Sequence, residues 1–167
     1  QMAQDDIRGA AASASAVEDN RRTLLILAAG NFIVGIAAFV VLGLMASMAK
    51  SLGVEQASMG RVITDYAIAY AIGSPLAIAA TGRWQRRTVV TIAMALVGLG
   101  SVACAFASSL IELEAARVIG ALGGGLFGPA TAAIAVSTAA PDRRATALSI
   151  VFMGFTAAQG IGTPAGT

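Results

Sequence analysis

The 167-residue sequence contains no histidine and only one cysteine, Cys104. Imidazole chemistry is therefore excluded within these residues, and a single cysteine can form neither an internal disulfide nor a thiolate metal cluster. Charged residues make up 12% of the chain, about half of the roughly 25% that is usual in soluble domains. The formal net charge of +2 gives no reason to expect a nucleic-acid partner. The sequence predicts no metal site and no cofactor.

What the chain does contain is apolar residues, at 57% of the total, with a mean hydropathy of +0.78. They lie in five runs, each long enough to cross a hydrocarbon core of about 30 Å. Backbone polar groups in lipid must be satisfied within the segment, and none of the runs alternates as a barrel strand would. The sequence therefore predicts an all-α membrane protein with a flexible tail over residues 1–23 and transmembrane helices over residues 24–49, 59–80, 88–109, 113–136 and 145–167.

The basic residues are distributed unequally between the loops. One side of the membrane is predicted to have only Lys50 and Arg61. The other side has the remaining loop arginines, and an excess of arginine in short loops marks the cytoplasmic side. The N-terminus is accordingly predicted to be cytoplasmic, in a multi-pass protein of the cell (inner) membrane. The arginines that set this orientation are Arg21, Arg22, Arg83, Arg86, Arg87, Arg143 and Arg144.

Two short patterns occur twice along the chain. Gly35 and Gly43 have the same spacing as Gly120 and Gly128, and "IGSPLA" in the second run matches "IGTPAG" in the fifth. The members of each pair are offset by three helices, so the second copy crosses the membrane in the opposite sense, as in the inverted repeats of secondary transporters. This interpretation predicts a six-helix unit of 3+3 helices, of which five are present and a sixth follows residue 167. The alternative is chance similarity between helices rich in glycine and alanine.

Four stretches together resemble the amino-terminal half of a major facilitator superfamily transporter, closest to the drug/proton antiporters and the sugar-efflux permeases. The resemblance runs from about Leu24 to Thr167 and implies a major-facilitator-type helical bundle. It also implies that the first, second, fourth and fifth helices line the substrate cavity. The stretches that carry it are "YAIAYAIGSPL", "TGRWQRR", "ARVIGALGGG" and "GFTAAQGIGTPAGT".

Two of these stretches imply roles for particular residues. "TGRWQRR" stands where the family has a gating loop, and Arg83, Arg86 and Arg87 match it, whereas Gly82 replaces the family's aspartate. Relatives often carry an acid in the first helix where this chain has Ala38. The last stretch resembles the antiporter motif, which accompanies export rather than uptake in the family. Its matching residues are Gly154, Gly160, Gly162, Pro164 and Gly166.

Ionisable side chains inside a membrane are rare and are functional candidates by default. Asp65 and Arg117 are predicted at similar depths in the second and fourth helices, and Glu114 lies three residues before Arg117 on nearly the same helix face. One interpretation is that Asp65 or Glu114 takes up and releases a proton while Arg117 tunes that carboxylate. The alternative is that Glu114 reaches the outer interface and Arg117 is a fixed partner that holds the fourth helix against the first or second.

Uncharged polar side chains in the spans are candidates for a substrate cavity, which needs a few polar groups among apolar walls. The alternative is hydrogen bonding between helices, which contributes about 0.6 kcal/mol on average in membranes. The candidates are Asn31, Tyr66, Tyr70, Thr131 and Gln159.

These observations together predict a secondary active transporter of the major facilitator type, not an enzyme. It would export small amphipathic solutes, drugs or sugars by alternating access, coupled to protons. Its predicted partners are the lipid bilayer, a small-molecule substrate and protons, together with either a missing C-terminal half or a second copy in a homodimer. The alternative functions are a non-transporting assembly or sensor protein that retains the fold, and a half-transporter that works as a homodimer.

Overall fold

The computed structural model describes the backbone of residues 2–165 and the side chains of residues 18–162. Over these residues the chain forms five α-helices joined by short connections, two of which contain a single 3₁₀ turn, at Gln56–Ser58 and Pro141–Arg143. The helices are α1 (Met2–Leu52), α2 (Met59–Thr81), α3 (Arg86–Phe106), α4 (Leu110–Thr138) and α5 (Arg144–Ala165). Each contains a segment long and apolar enough to span a membrane, which confirms the predicted all-α membrane fold.

The largest difference from the predicted boundaries is at the start of α1. A flexible tail was predicted for residues 1–23, but the backbone is helical from Met2 onward, and only residue 1 lies outside the description. This segment is rich in alanine, the residue with the highest helix propensity. The lack of periodic apolar residues in this segment indicates that it has no apolar face to bury, but it does not exclude a helix. Hydropathy therefore predicts an apolar segment within α1 and does not predict where the helix begins.

The helices pair across the two halves of the chain. α1 packs most extensively against α5, and α2 packs against α4, which also contacts α3. Exchanging the first three-helix unit with the second turns the α1–α5 pair into α4–α2, so these two contacts are equivalent. This is the pairing that an inverted repeat predicts.

Buried apolar side chains form three clusters along the bundle. One joins the start of the α1 span to the end of α4 and the start of α5, through Leu24, Ala135 and Val151. Another lies at the opposite end, where Ala49 packs against Met59 at the start of α2. The third, around Phe127, joins α1, α3 and α4 between them. The α4–α5 connection therefore lies at the same end of the bundle as the start of the α1 span.

A hydrogen-bonded cap fixes the start of α4. The Ser109 hydroxyl accepts a hydrogen bond from the Glu112 amide at 3.3 Å. The Glu112 carboxylate in turn accepts from the amide and the hydroxyl of Ser108, at 2.7 and 2.9 Å. This reciprocal arrangement satisfies amide groups that the first turn of a helix leaves unpaired. It sets the depth of Glu114 and Arg117, which lie about 6 and 10 Å along the α4 axis from Leu110.

Candidate functional site

Arg117 is a charged side chain buried inside the bundle, with 7% of its surface exposed. Its Nη1 and Nη2 atoms donate hydrogen bonds to the carbonyl oxygens of Ala37 and Ala38 on α1, at 2.9 and 3.1 Å. Its guanidinium carbon lies 4.1 Å from the centre of the Tyr66 ring, a cation–π contact. Arg117 thus connects α4 to α1 and α2. Ala38, where the family resemblance implies an acid, contributes a backbone carbonyl instead.

Glycines on α4 make room for the two tyrosines of α2. A Cβ atom added at Gly124 would lie 3.5 Å from both the Tyr66 hydroxyl and the Tyr70 ring, and one at Gly128 would lie 3.8 Å from the Tyr70 hydroxyl. The tyrosine rings stack with their centroids 6.3 Å apart. Both side chains are half-buried, so the predicted cavity residues Tyr66 and Tyr70 share one wall with Arg117.

Glu114 does not pair with Arg117, although both lie on α4. Its Oε1 atom lies 3.7 Å from Nη2 of Arg61 on α2, and its side chain is 16% exposed whereas that of Arg61 is 71% exposed. The separation is too long for a hydrogen bond, and Oε1 has no hydrogen-bond partner among the described residues. The three-residue spacing would allow Glu114 to pair with Arg117, but the guanidinium of Arg117 is directed toward α1.

Asp65 lies on the same helix as Arg61, four residues further along. Its side chain is half-buried, and it forms no ion pair with any described residue. Residues four apart are neighbours on a helix surface, so Arg61 is within reach of carboxylates on two helices. Arg61 was predicted only as a charge outside the membrane. Its spacing from Asp65 was the available signal.

Two other predicted cavity residues bond to each other. The Nδ2 atom of Asn31 donates to the Thr131 hydroxyl and to the Leu27 carbonyl, both at 3.1 Å. The Thr131 hydroxyl donates in turn to the Gly128 carbonyl at 2.9 Å. Asn31 is 2% exposed and Thr131 is fully buried, so both side chains lie between α1 and α4. This geometry is the one expected of an interhelical hydrogen bond.

A double-mutant cycle with Asn31→Ala and Thr131→Ala is expected to give a coupling energy of about 0.6 kcal/mol. The reason is that each substitution removes one partner of the same hydrogen bond. The measurement is the unfolding free energy of the full-length protein in detergent. Additive effects on stability, with a loss of transport in each single variant, would instead support the substrate-binding role predicted for the pair.

Ser74 is a polar contact that the sequence analysis missed. Its hydroxyl donates to the Gly125 carbonyl on α4 at 2.8 Å, and a Cβ atom added at Gly125 would lie 3.2 Å from the Ser74 Cβ. The contact therefore depends on two small residues, one on each helix. In the sequence, the serine of "IGSPLA" indicated this contact, because a small residue with a hydroxyl group suits a close helix crossing.

The glycines of the predicted antiporter motif do not all face the same way. Gly154 and Gly162 lie against α1, where a Cβ atom would overlap the Ala28 carbonyl oxygen or come within 3.0 Å of the Phe39 Cβ, respectively. A Cβ atom added at Gly160 would meet no atom within 4 Å, and the Gln159 side chain is exposed. The motif thus combines a packing face toward α1 with an outer face that carries the last predicted cavity residue. The Pro164 side chain and Gly166 lie outside the described residues.

The predicted gating arginines lie at the end of the bundle where α2 leads into α3. Arg83 is in the connection, and Arg86 and Arg87 are in the first turn of α3. All three are exposed, and none pairs with a carboxylate among the described side chains. Nη1 of Arg86 donates to the Ala133 carbonyl near the end of α4. The structure therefore gathers these cations at the same end as Arg143 and Arg144.

Comparisons with known proteins agree with this architecture. The Major Facilitator Superfamily profile matches residues 27–167. The chain is 35% identical over 153 residues to YtbD, an MFS-type transporter of Bacillus subtilis, covering 92% of this chain and 39% of that protein. It is 32% identical over 144 residues to the inner membrane transport protein YdhP of Escherichia coli, covering 86% of this chain and 37% of that protein.

A third relative carries a more specific name. The chain is 26% identical over 141 residues to the chloramphenicol efflux pump MT0201 of Mycobacterium tuberculosis, covering 84% of this chain and 34% of the pump. The chain thus spans less than two fifths of the length of each of these relatives. The five spanning helices, their cross-pairing and the profile match over most of the sequence place this multi-pass membrane chain in the Major Facilitator Superfamily.

Proposed function

We propose that the protein is a secondary active transporter that exports small amphipathic solutes in exchange for protons by alternating access. The observation that carries the proton coupling is the position of the Glu114 carboxylate. It is mostly buried inside a membrane span, and an exposed arginine 3.7 Å away on another helix compensates its charge. A carboxylate compensated this loosely can gain or lose a proton with little loss of bonding.

The spacing on α2 supports two alternative pairings of Arg61. When Glu114 is ionised, Arg61 pairs with it and joins α2 to α4. When Glu114 is protonated, that attraction is lost, and Arg61 is free to pair with Asp65 one turn away on its own helix. Proton uptake would then change an electrostatic contact between two helices of the bundle. Such a change at a discrete element is what coupling requires.

Arg117 has a different role in this proposal. Its two bonds to backbone carbonyls and its contact with Tyr66 hold it in place, so it supplies a fixed positive charge beside the tyrosine wall. A fixed cation disfavours protonation of nearby carboxylates, whereas burial favours it. In this proposal Arg117 is a structural cation of the bundle and does not carry the proton itself.

The direction of transport rests on the family and on the loop charges. The antiporter motif of α5 accompanies export in similar families, and one relative is named as a chloramphenicol efflux pump. The excess of positive charge supports a cytoplasmic location for the arginine-rich end of the bundle, in a protein of the inner membrane. The rest of the path would come from a C-terminal half or from a second copy, since alternating access in this family needs two bundles.

Transport of chloramphenicol by the full-length protein in liposomes tests the proposal. Glu114→Gln or Asp65→Asn is expected to lower flux driven by a proton gradient at least about fivefold, because typical coupling free energies correspond to factors of about 5 to 150. Exchange driven by a chloramphenicol gradient alone should be retained. The difference between these two measurements separates loss of coupling from loss of folding.

Glu55→Gln is the matched control, because Glu55 is exposed in the connection between α1 and α2. It should leave both fluxes unchanged. Equal loss in all three variants, or full activity in Glu114→Gln and Asp65→Asn, would contradict the proton role. Absence of flux for a panel of amphipathic solutes would favour the non-transporting sensor or assembly protein instead.

A further inference from the structure

A cavity of about 370 Å³ lies beside Arg117 and is bordered by Tyr66 of α2. Its lining runs along α1 from Val34 to Leu52 and along α3 from Val97 to Ala107. At 1.5 Å per residue, the α1 wall is about 27 Å long, so the space is elongated and narrow. Apart from Arg117, the lining includes no charged residue.

Arg117 presents an unused donor in this apolar space. Two of its five N–H groups bond to Ala37 and Ala38, whereas Nε is buried and has no hydrogen-bond partner among the described residues. No carboxylate of a described side chain lies within ion-pair distance of it. Backbone carbonyls and an aromatic ring carry only partial negative charge, so the guanidinium retains an uncompensated positive charge at a buried position.

We infer that the cavity between α1, α3 and α4 binds a small amphipathic monoanion, with its carboxylate on Arg117 and its apolar body along the walls of α1 and α3. Guanidinium N–H groups lie in one plane with a geometry that matches a carboxylate. An anion there would bond to the guanidinium N–H groups that Ala37 and Ala38 leave unused, and it would compensate the positive charge. The apolar remainder would contact valine, leucine and methionine side chains such as Val41, Leu44 and Met48.

The dimensions of the cavity favour a single chain over a helix. A helix with its side chains is about 10 Å across, so one 27 Å long would occupy on the order of 2,000 Å³. The empty space of the cavity, about 1090 Å³ with its open side included, is about half of that volume. An aliphatic carboxylate of about ten carbons is both narrow and apolar enough to enter. This inference concerns binding alone and does not depend on the proposed transport.

Cys104 gives a direct readout, since it lines the same cavity and is the only cysteine in the chain. The experiment measures alkylation of Cys104 by N-ethylmaleimide in the full-length protein in lipid nanodiscs, with any cysteine outside this chain replaced by serine. The probes are decanoate, decanol and decyltrimethylammonium. Decanoate is expected to protect the thiol at a concentration about tenfold lower than decanol does, because only the anion bonds to the buried cation.

Two variants test the assigned contacts. Arg117→Gln should make decanoate and decanol protect equally. Ala105→Phe places a large ring in the cavity lining while leaving Arg117 intact, and it should raise the half-protecting concentration of decanoate at least about fivefold. If Arg117→Gln does not fold, the second variant decides alone. Equal protection by all three probes, unreactive Cys104 without any ligand, or protection unaffected by Ala105→Phe would overturn the inference.

Discussion

Replacing Gly154 by alanine is expected to destabilise the protein by about 3 kcal/mol, which is the upper end of typical overpacking costs. The added Cβ would overlap the carbonyl oxygen of Ala28 and lie 2.8 Å from its carbonyl carbon and 3.1 Å from the Phe32 amide nitrogen. These are backbone atoms of α1, so no side-chain rotation relieves the overlap. The helices must move apart along the most extensive contact in the bundle.

Gly160→Ala is the matched control for this prediction, because it makes the same change six residues further along α5. A Cβ atom there has nothing within 4 Å, so the variant should be neutral or gain up to about 1 kcal/mol from helix propensity. Both unfolding free energies are measured in the same detergent by circular dichroism. Similar destabilisation by the two variants would show that the close α1–α5 contact is not what makes Gly154 necessary.

Replacing Phe127 by alanine is also expected to cost about 3 kcal/mol, the lower end of the range for buried phenylalanine. The side chain is 1% exposed and belongs to the cluster that joins α1, α3 and α4. Its ring lies over Gly30, where an added Cβ atom would come within 2.5 Å of it. In a membrane the transfer contribution is reduced because lipid is also apolar, but the lost van der Waals contacts remain.

Phe106 supplies the comparison for Phe127, since its side chain is 81% exposed at the end of α3. Phe106→Ala should change the unfolding free energy by less than about 0.5 kcal/mol. Thermal unfolding of the two variants in identical nanodiscs checks the difference. A cost for Phe106→Ala as large as that for Phe127→Ala would mean that contacts beyond these five helices dominate the packing.

Hydropathy and loop charge predicted the fold because both are properties of contiguous segments. The five spans and the gathering of Arg86 and Arg143 at one end of the bundle follow from the order of apolar and basic stretches. The glycine spacings on α4 and α5 also indicated close helix contacts, which the structure shows at Gly124 and Gly154. In each case the relevant neighbours are set by the sequence within one helix.

Partners on different helices were predicted less well. The sequence places Glu114 and Arg117 on nearly the same face of one helix, whereas the cation nearest to Glu114, Arg61, lies on α2. Which residues of α2 face α4 depends on how each helix is rotated about its own axis. That rotation is set by contacts such as Ser74 with Gly125, which no single-helix pattern contains.

The cross-pairing of α1 with α5 has a consequence for how the protein is made. The end of α1 at Leu52 and the start of α5 at Arg144 are separated by the 91 residues 53–143 (143 − 53 + 1 = 91). At about 5 to 20 residues per second, the ribosome needs roughly 5 to 18 seconds to synthesise them. Throughout that interval, the α1 surface around Ala28 and Gly35 remains in the insertion machinery or in lipid without α5, the helix that it contacts most extensively.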